Sequence, residues 1–162
     1  MSNLAATPPV TVPVLLQHFT NAINAQPKSP DLTPFQLFDG TATSTIPDRY
    51  IQYLSIENYT QQPASLGNLR RDEDYEIVCV ISVYTGDPTE VDTVRSQAWG
   101  LWDSVQLEIT NDPWANPGAG PRPIRFWQMS KVTATEGAPD TADGGWTLDI
   151  DFTIRVEATL ER

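Results

Sequence analysis

Residues 146–160 read WTLDIDFTIRVEATL, and their alternation decides how the rest of the chain is read. Trp146, Leu148, Ile150, Phe152, Ile154, Val156, Ala158 and Leu160 occupy one set of alternate positions. Thr147, Asp149, Asp151, Thr153, Arg155, Glu157 and Thr159 occupy the other. A strand sends successive side chains to opposite faces, so the segment predicts a strand with core on one side and water on the other. Half-buried strands of this kind belong to antiparallel sheets. Extended over its whole length the segment spans about 50 Å, whereas a domain of this size is roughly 40 Å across. The strand must bend at a bulge, or the last hairpin must project. A projecting amphipathic hairpin needs another chain over its apolar face, so an oligomer is expected.

Upstream, Ile77–Tyr84 is an unbroken apolar run holding Cys79. Continuity predicts a central strand with something packed on each side. Asp87-Pro88-Thr89-Glu90 then predicts a helix start, with Asp87 capping, Pro88 at the first position and Glu90 closing a capping box. Val91, Val94, Ala98, Leu101, Trp102 and Val105 follow at steps of three and four, giving one apolar helix face. Asn111-Asp112-Pro113 ends that helix near Thr110.

Residues 1–11 are expected to form a loose arm, with a single domain over 12–162. Pro13 suits the start of a first helix, whose face is Val12, Leu15, Leu16, Phe19, Ala22 and Ile23, stopped by Pro27 and Pro30. His18 lies beside that stripe, on the polar flank with Gln17 and Asn21, and no catalytic partner is near it in sequence. Phe35–Phe38, Arg49–Glu57 and Ile124–Val132 read as further strands, Tyr59–Asn68 as a polar loop and Thr135–Gly145 as a hairpin connection. The expected fold is α+β: an antiparallel sheet of four to five strands with two helices packed against it, in the order α-β-β-β-α-β-β, and a projecting C-terminal hairpin.

The chain has 162 residues and a net charge of −11. A domain of this length buries about 70% of its unfolded surface without staples. Its acidity opposes gripping nucleic acid or an anionic membrane, because like charges repel and no counterions are released. It suits a passage through which DNA slides without sticking. One cysteine forms no internal disulfide. No apolar stretch approaches the ~20 residues of a membrane span, and the N-terminus lacks the basic and apolar regions of a secretory signal. The sequon at Asn58 is therefore read as chance, and an intracellular or particle-associated protein is expected.

Nucleophilic catalysis needs a nucleophile beside a base. Cys79 sits mid-strand in an apolar run, where burial makes a thiol inert. Gly118 and Gly120 lie in a Pro-rich turn rather than a phosphate-binding loop. One Cys and one His make no zinc set of the usual kind. Asp149 and Asp151 fall on a solvated strand face with Arg155 nearby. Asp140 and Asp143 lack the remaining ligands of a calcium loop. The expectation is a protein that is not an enzyme and takes no cofactor or metal, with Asp87, Pro88, Glu90 and Cys79 in structural roles.

The charge run Arg70-Arg71-Asp72-Glu73-Asp74 reads as a solvated strand start or as an ion-pair site between subunits. Trp114, inside the Pro/Gly loop 112–121, either folds back over the core or anchors a partner. Arg70, Arg71, Trp114, Asp140 and Asp143 are thus the candidate interface residues.

The phrase CVISVYTGD leading into VRSQAWGLWDSVQLEI, and the closing DFTIRVEATL, resemble the tail terminator proteins of long-tailed bacteriophages, especially those of actinobacterial siphophages. The Leu-(Leu/Trp)-Asp-(Ala/Ser)-Val core of that family corresponds to Leu101–Val105, and its terminal amphipathic strand to Thr153–Ala158. The likeness covers about residues 10–161; segments 59–69 and 111–123 have no counterpart. It implies a subunit of a ring, usually hexameric, that caps the last layer of the tail tube and halts its growth. The ring presents a surface to the head-side connector, with DNA passing through the centre, and the family supplies no catalytic residues. Another neck component, a head-closure or connector protein, is the near alternative. A small-ligand-binding or enzymatic α+β domain is the more distant one.

Overall fold

The computed structural model describes residues 12–26, 36–39, 48–63, 70–112, 124–138 and 144–161. Its elements are α1 (Val12–Ala25), β1 (Gln36–Asp39), β2 (Arg49–Pro63), β3 (Arg70–Thr85), α2 (Val91–Asn111), β4 (Ile124–Gly137) and β5 (Trp146–Glu161), in the expected α-β-β-β-α-β-β order. The strands form one sheet in the order β1-β2-β3-β5-β4. Antiparallel pairing runs through it except at one edge, where β1 lies parallel to β2, Gln36 opposite Tyr50 and Asp39 opposite Tyr53. β1 and β2 therefore do not form a hairpin.

The alternation in β5 is realised in full. β3 and β5 pair without a register shift from Arg70 opposite Glu161 to Thr85 opposite Trp146. Sixteen extended residues in each strand give a ladder about 50 Å long. Neither strand bends at a bulge within this pair. The irregularities lie in the flanking strands, at Tyr53/Ser55 and Glu57/Thr60 in β2 and at Ile124/Phe126 and Met129/Lys131 in β4.

Both helices lie on one face. Tyr53, Cys79 and Phe152 stand abreast across β2, β3 and β5. The Tyr53 hydroxyl lies 3.1 Å from Thr20 Oγ1 of α1, and Phe152 meets Trp102 of α2 edge-on at 5.3 Å. Aromatic contacts of this geometry add about 0.5–1.5 kcal/mol beyond the area they bury. Leu15, Phe19 and Ile23 of α1 and Val94, Ala98, Leu101, Val105 and Ile109 of α2 complete this layer.

β3 is central as expected; the helices cover one of its faces, and Val80 and Ser82 on the other are buried too. Three expectations are corrected. First, the sheet is not wholly antiparallel, since β1 runs parallel to β2. Second, β2 does not stop at Glu57 but continues to Pro63. Asn58, at φ 52, absorbs a bulge, and ladder bonds come from the backbone, so polar side chains do not end the strand. Third, α2 begins at Val91 with Glu90 at its N-cap and no side-chain cap. The Asp87 carboxylate instead accepts from Thr89 N–H at 2.9 Å and from the Thr89 hydroxyl at 2.7 Å. Glu90 N–H then bonds Asp87 O at 3.1 Å, closing a tight turn ahead of the helix.

The turn into β5 carries a sharp steric constraint. Gly145 has φ +104, and a Cβ there would lie 2.3 Å from Thr85 O. Gly144, at φ +75, faces open space. Gly145→Ala is expected to destabilise the fold by more than ~1 kcal/mol, and Gly144→Ala by less. Urea denaturation of the two variants checks the order.

Candidate assembly surfaces

Arg70 and Arg71 begin β3 at one end of the sheet, opposite Glu161 and Leu160. Arg71 is half-buried and donates through Nη1 to Gln61 Oε1 at 3.1 Å. The acidic residues that follow are not uniformly solvated. Asp72 accepts from Thr159 at 2.9 Å, and Asp74 receives Arg155 Nη2 at 3.1 Å. Glu73 is only 1% exposed, which corrects its reading as part of a solvated run: alternation turns it to the helix face. Its carboxylate accepts the Tyr59 hydroxyl at 2.6 Å, and Tyr59 stacks on Tyr75 at 6.0 Å. Desolvation, reinforced by the bond to Glu73 and its charge, pushes the Tyr59 phenol up to about 12. Trp114, Asp140 and Asp143 lie outside the described residues.

Cys79 is buried and its thiol donates to Ile77 O at 3.8 Å. Asp87 and Pro88 are exposed in the turn before α2; the Thr89 side-chain and backbone bonds hold the Asp87 carboxyl below its usual range. Glu90 accepts from the Thr85 hydroxyl at 3.4 Å.

The sheet face away from the helices is strongly acidic. The register places Glu57, Asp72, Asp74, Glu76, Asp149, Asp151, Glu157 and Glu161 on it, with Arg70, Lys131 and Arg155 as its cations among the described residues. Arg155 lies 3.1 Å from both Asp74 and Glu157, so it neutralises the outer end rather than the Asp149–Asp151 pair. Asp149 accepts from Ser82 at 2.6 Å. Partial desolvation, with Asp149 nearby, lifts the Asp151 carboxyl above its ordinary range.

The β4 arm of the last hairpin forms a sheet edge, with every residue from Ser130 to Glu136 exposed. Val132 is 42% exposed there. Its outer part is clasped to α2: Arg95 Nε and Nη2 donate to Glu136 Oε2 and Oε1 at 2.9 and 2.7 Å. This bidentate geometry holds the Glu136 carboxyl below its usual value. One turn along α2, Trp99 is exposed, as is Leu107 further on.

A second cluster escaped the sequence reading. His18 Nε2 of α1 lies 3.0 Å from Asp112 Oδ2 and 3.8 Å from Glu108 Oε1, at the end of α2. The partners are some ninety residues away in the chain, and the only local signal was the spacing of Glu108 and Asp112, four residues apart. An open groove lined by Val12, Leu16, Tyr53, Ser55 and Ile56 also lies between α1 and β2. Its lining is mainly apolar and brings together no set of convergent charged groups.

No family model matches this chain, and no curated protein matches it. Among solved structures, a chain from "Virion of native gene transfer agent (GTA) particle" aligns over 98% of this chain and 100% of its own, at 15% identity and a TM-score of 0.48. A likeness at that level carries no argument about function.

Two predictions follow from the geometry. Tyr59→Phe removes a donor from the buried Glu73 carboxylate and is expected to destabilise by about 1–3 kcal/mol. The raised phenol supports folding fully below its ordinary pKa near 10; that support is lost as pH rises towards 12. Ultraviolet titration of the variant should lack the late-ionising tyrosine. The lowered Glu136 carboxyl has the opposite sign: its contribution is present above the ordinary carboxylate range and is lost as pH falls through its folded pKa. Glu136→Gln is expected to speed hydrogen exchange in residues 130–137 at neutral pH, with the difference from the parent disappearing in acid.

Proposed function

We propose that this chain is a structural subunit of a phage-type virion, without catalytic activity, and within that class a tail terminator. In this reading copies form a ring, six-membered as the sequence resemblance implies. The ring caps the tail tube, halts its growth and meets the head-side connector at the top of the tail. The observation that carries the reading is the sheet itself. Its two central strands run about 50 Å, whereas α1 with 14 residues and α2 with 21 reach only about 21 and 32 Å. The remaining sheet surface is long and presents rows of charge and an unpaired edge, which suits contact with other chains better than enclosure of a small substrate.

The segments that carry the resemblance support the same reading. CVISVYTGD forms the second half of β3 and its turn, VRSQAWGLWDSVQLEI forms α2, and DFTIRVEATL forms β5. They are the contiguous helix-on-sheet layer of the fold. The acidic face supports passage of DNA, because carboxylates repel phosphates and gain no counterion release. Trp99, Val132 and the β4 edge offer exposed apolar contacts at a surface that another copy or a tube subunit can cover.

Static light scattering with negative-stain imaging tests the assembly. A multimer, formed alone or on isolated tail tubes, is the expected result. A strictly monomeric species that also leaves tubes uncapped overturns it. Arg70→Glu combined with Arg71→Glu is expected to impair assembly while the subunit still melts cooperatively; unaltered assembly would remove those arginines from the interface.

A further inference from the structure

The last turn of α2 concentrates negative charge. Glu108 and Asp112 stand four residues apart, and the C-terminal end of the helix dipole adds to them. α2 carries no basic residue in that turn. The group that reaches in comes from another element: His18 of α1, whose Nε2 is directed at both carboxylates, 3.0 Å from Asp112 and 3.8 Å from Glu108. One donor atom from each of the three side chains falls within 4.8 Å of the others.

Those separations are close to what a shared ion needs. Zinc-class ions bind imidazole nitrogen and carboxylate oxygen at about 2.0–2.2 Å, so two ligands at a tetrahedral angle stand about 3.3–3.6 Å apart. His18 and Asp112, at 3.0 Å, are within reach of that spacing, and small side-chain rotations bring in the Glu108 carboxylate, 3.8 Å from His18. The frame around the donors is braced. Asp112 N–H donates to Glu108 O at 3.0 Å, and the Trp127 indole N–H donates to the Asp112 carbonyl. Phe19, next to His18, meets Trp127 edge-on at 5.6 Å. The side chains of His18, Glu108 and Asp112 remain 19%, 15% and 30% exposed, which leaves a route for an ion and room for water to complete its shell.

We propose that His18, Glu108 and Asp112 form a divalent-cation site of the zinc class. One imidazole and two carboxylates make a nitrogen–oxygen set suited to Zn²⁺ or Co²⁺, whereas Ca²⁺ and Mg²⁺ favour all-oxygen shells. The bound ion pins α1 to the end of α2, joining the first helix of the chain to the element that precedes the 113–123 segment. The site stands on its own geometry and is independent of the assembly reading.

Chelator-treated full-length protein titrated with Co²⁺, followed by its visible absorption and by competition with Zn²⁺, tests this. One equivalent per chain is expected, together with a rise in melting temperature on adding Zn²⁺. Glu108→Gln keeps the His18–Asp112 contact and so should fold; it is expected to weaken Co²⁺ binding by more than about tenfold, and His18→Gln by more. Failure to saturate at one equivalent overturns the proposal. So does equal affinity in the parent and in Glu108→Gln, which would assign the ion to the general acidic surface.

Discussion

The unshifted pairing of β3 with β5 is the constraint on which the rest of the structure depends. Because it runs from one end of both strands to the other without slip, every residue of the two strands is committed to one face. Ile77, Cys79, Ile81 and Val83 meet Ile154, Phe152, Ile150 and Leu148 under the helices. Asp72, Asp74 and Glu76 meet Thr159, Glu157 and Arg155 on the other side. A shift of one residue would place carboxylates under α2 and isoleucines in water. The core, the acidic face and the burial of Glu73 are three results of one register.

Much of this was legible because the signals were periodic. The fifteen-residue alternation of Trp146–Leu160 predicted β5 and its solvated face, and the three-and-four spacing from Val91 to Val105 predicted the buried side of α2. Local chemistry was less legible where two arrangements use the same residues. Asp87-Pro88-Thr89-Glu90 satisfies the spacing of a capping box, yet the Thr89 hydroxyl and N–H compete for the Asp87 carboxylate and hold it in a turn one step earlier. Tyr59–Gln62 look like a loop by composition, but Thr60–Pro63 pair with Asp74–Arg71 of β3, and that backbone pairing, which composition does not report, holds the stretch as a strand.

What depended on contacts between distant segments was not legible. Nothing in the sequence around His18 names Glu108 or Asp112 as its neighbours; they meet because α1 and α2 share one face of the sheet. Glu73 reads as one acid among several, and only its register turns it inward to Tyr59. The parallel pairing of β1 with β2 has no distinctive sequence pattern. These features belong to the tertiary arrangement, and the cation proposal rests on that arrangement rather than on any motif.

The sheet also has two unlike margins. β1 covers only Tyr50–Tyr53 of β2, while β4 presents fourteen residues along the other side. A twofold dimer needs the same patch on each partner, and joining one margin to the other is a different geometry: each subunit offers a donor side and an acceptor side. Such heterologous contacts repeat with a fixed rotation per copy. They close into a ring when that rotation divides a full turn, and grow as an open helix when it does not. Were copies of this chain to join margin to margin, the choice between a closed cap and an endless filament would lie in the angle at that contact, next to the Arg95–Glu136 clasp that ties β4 to α2.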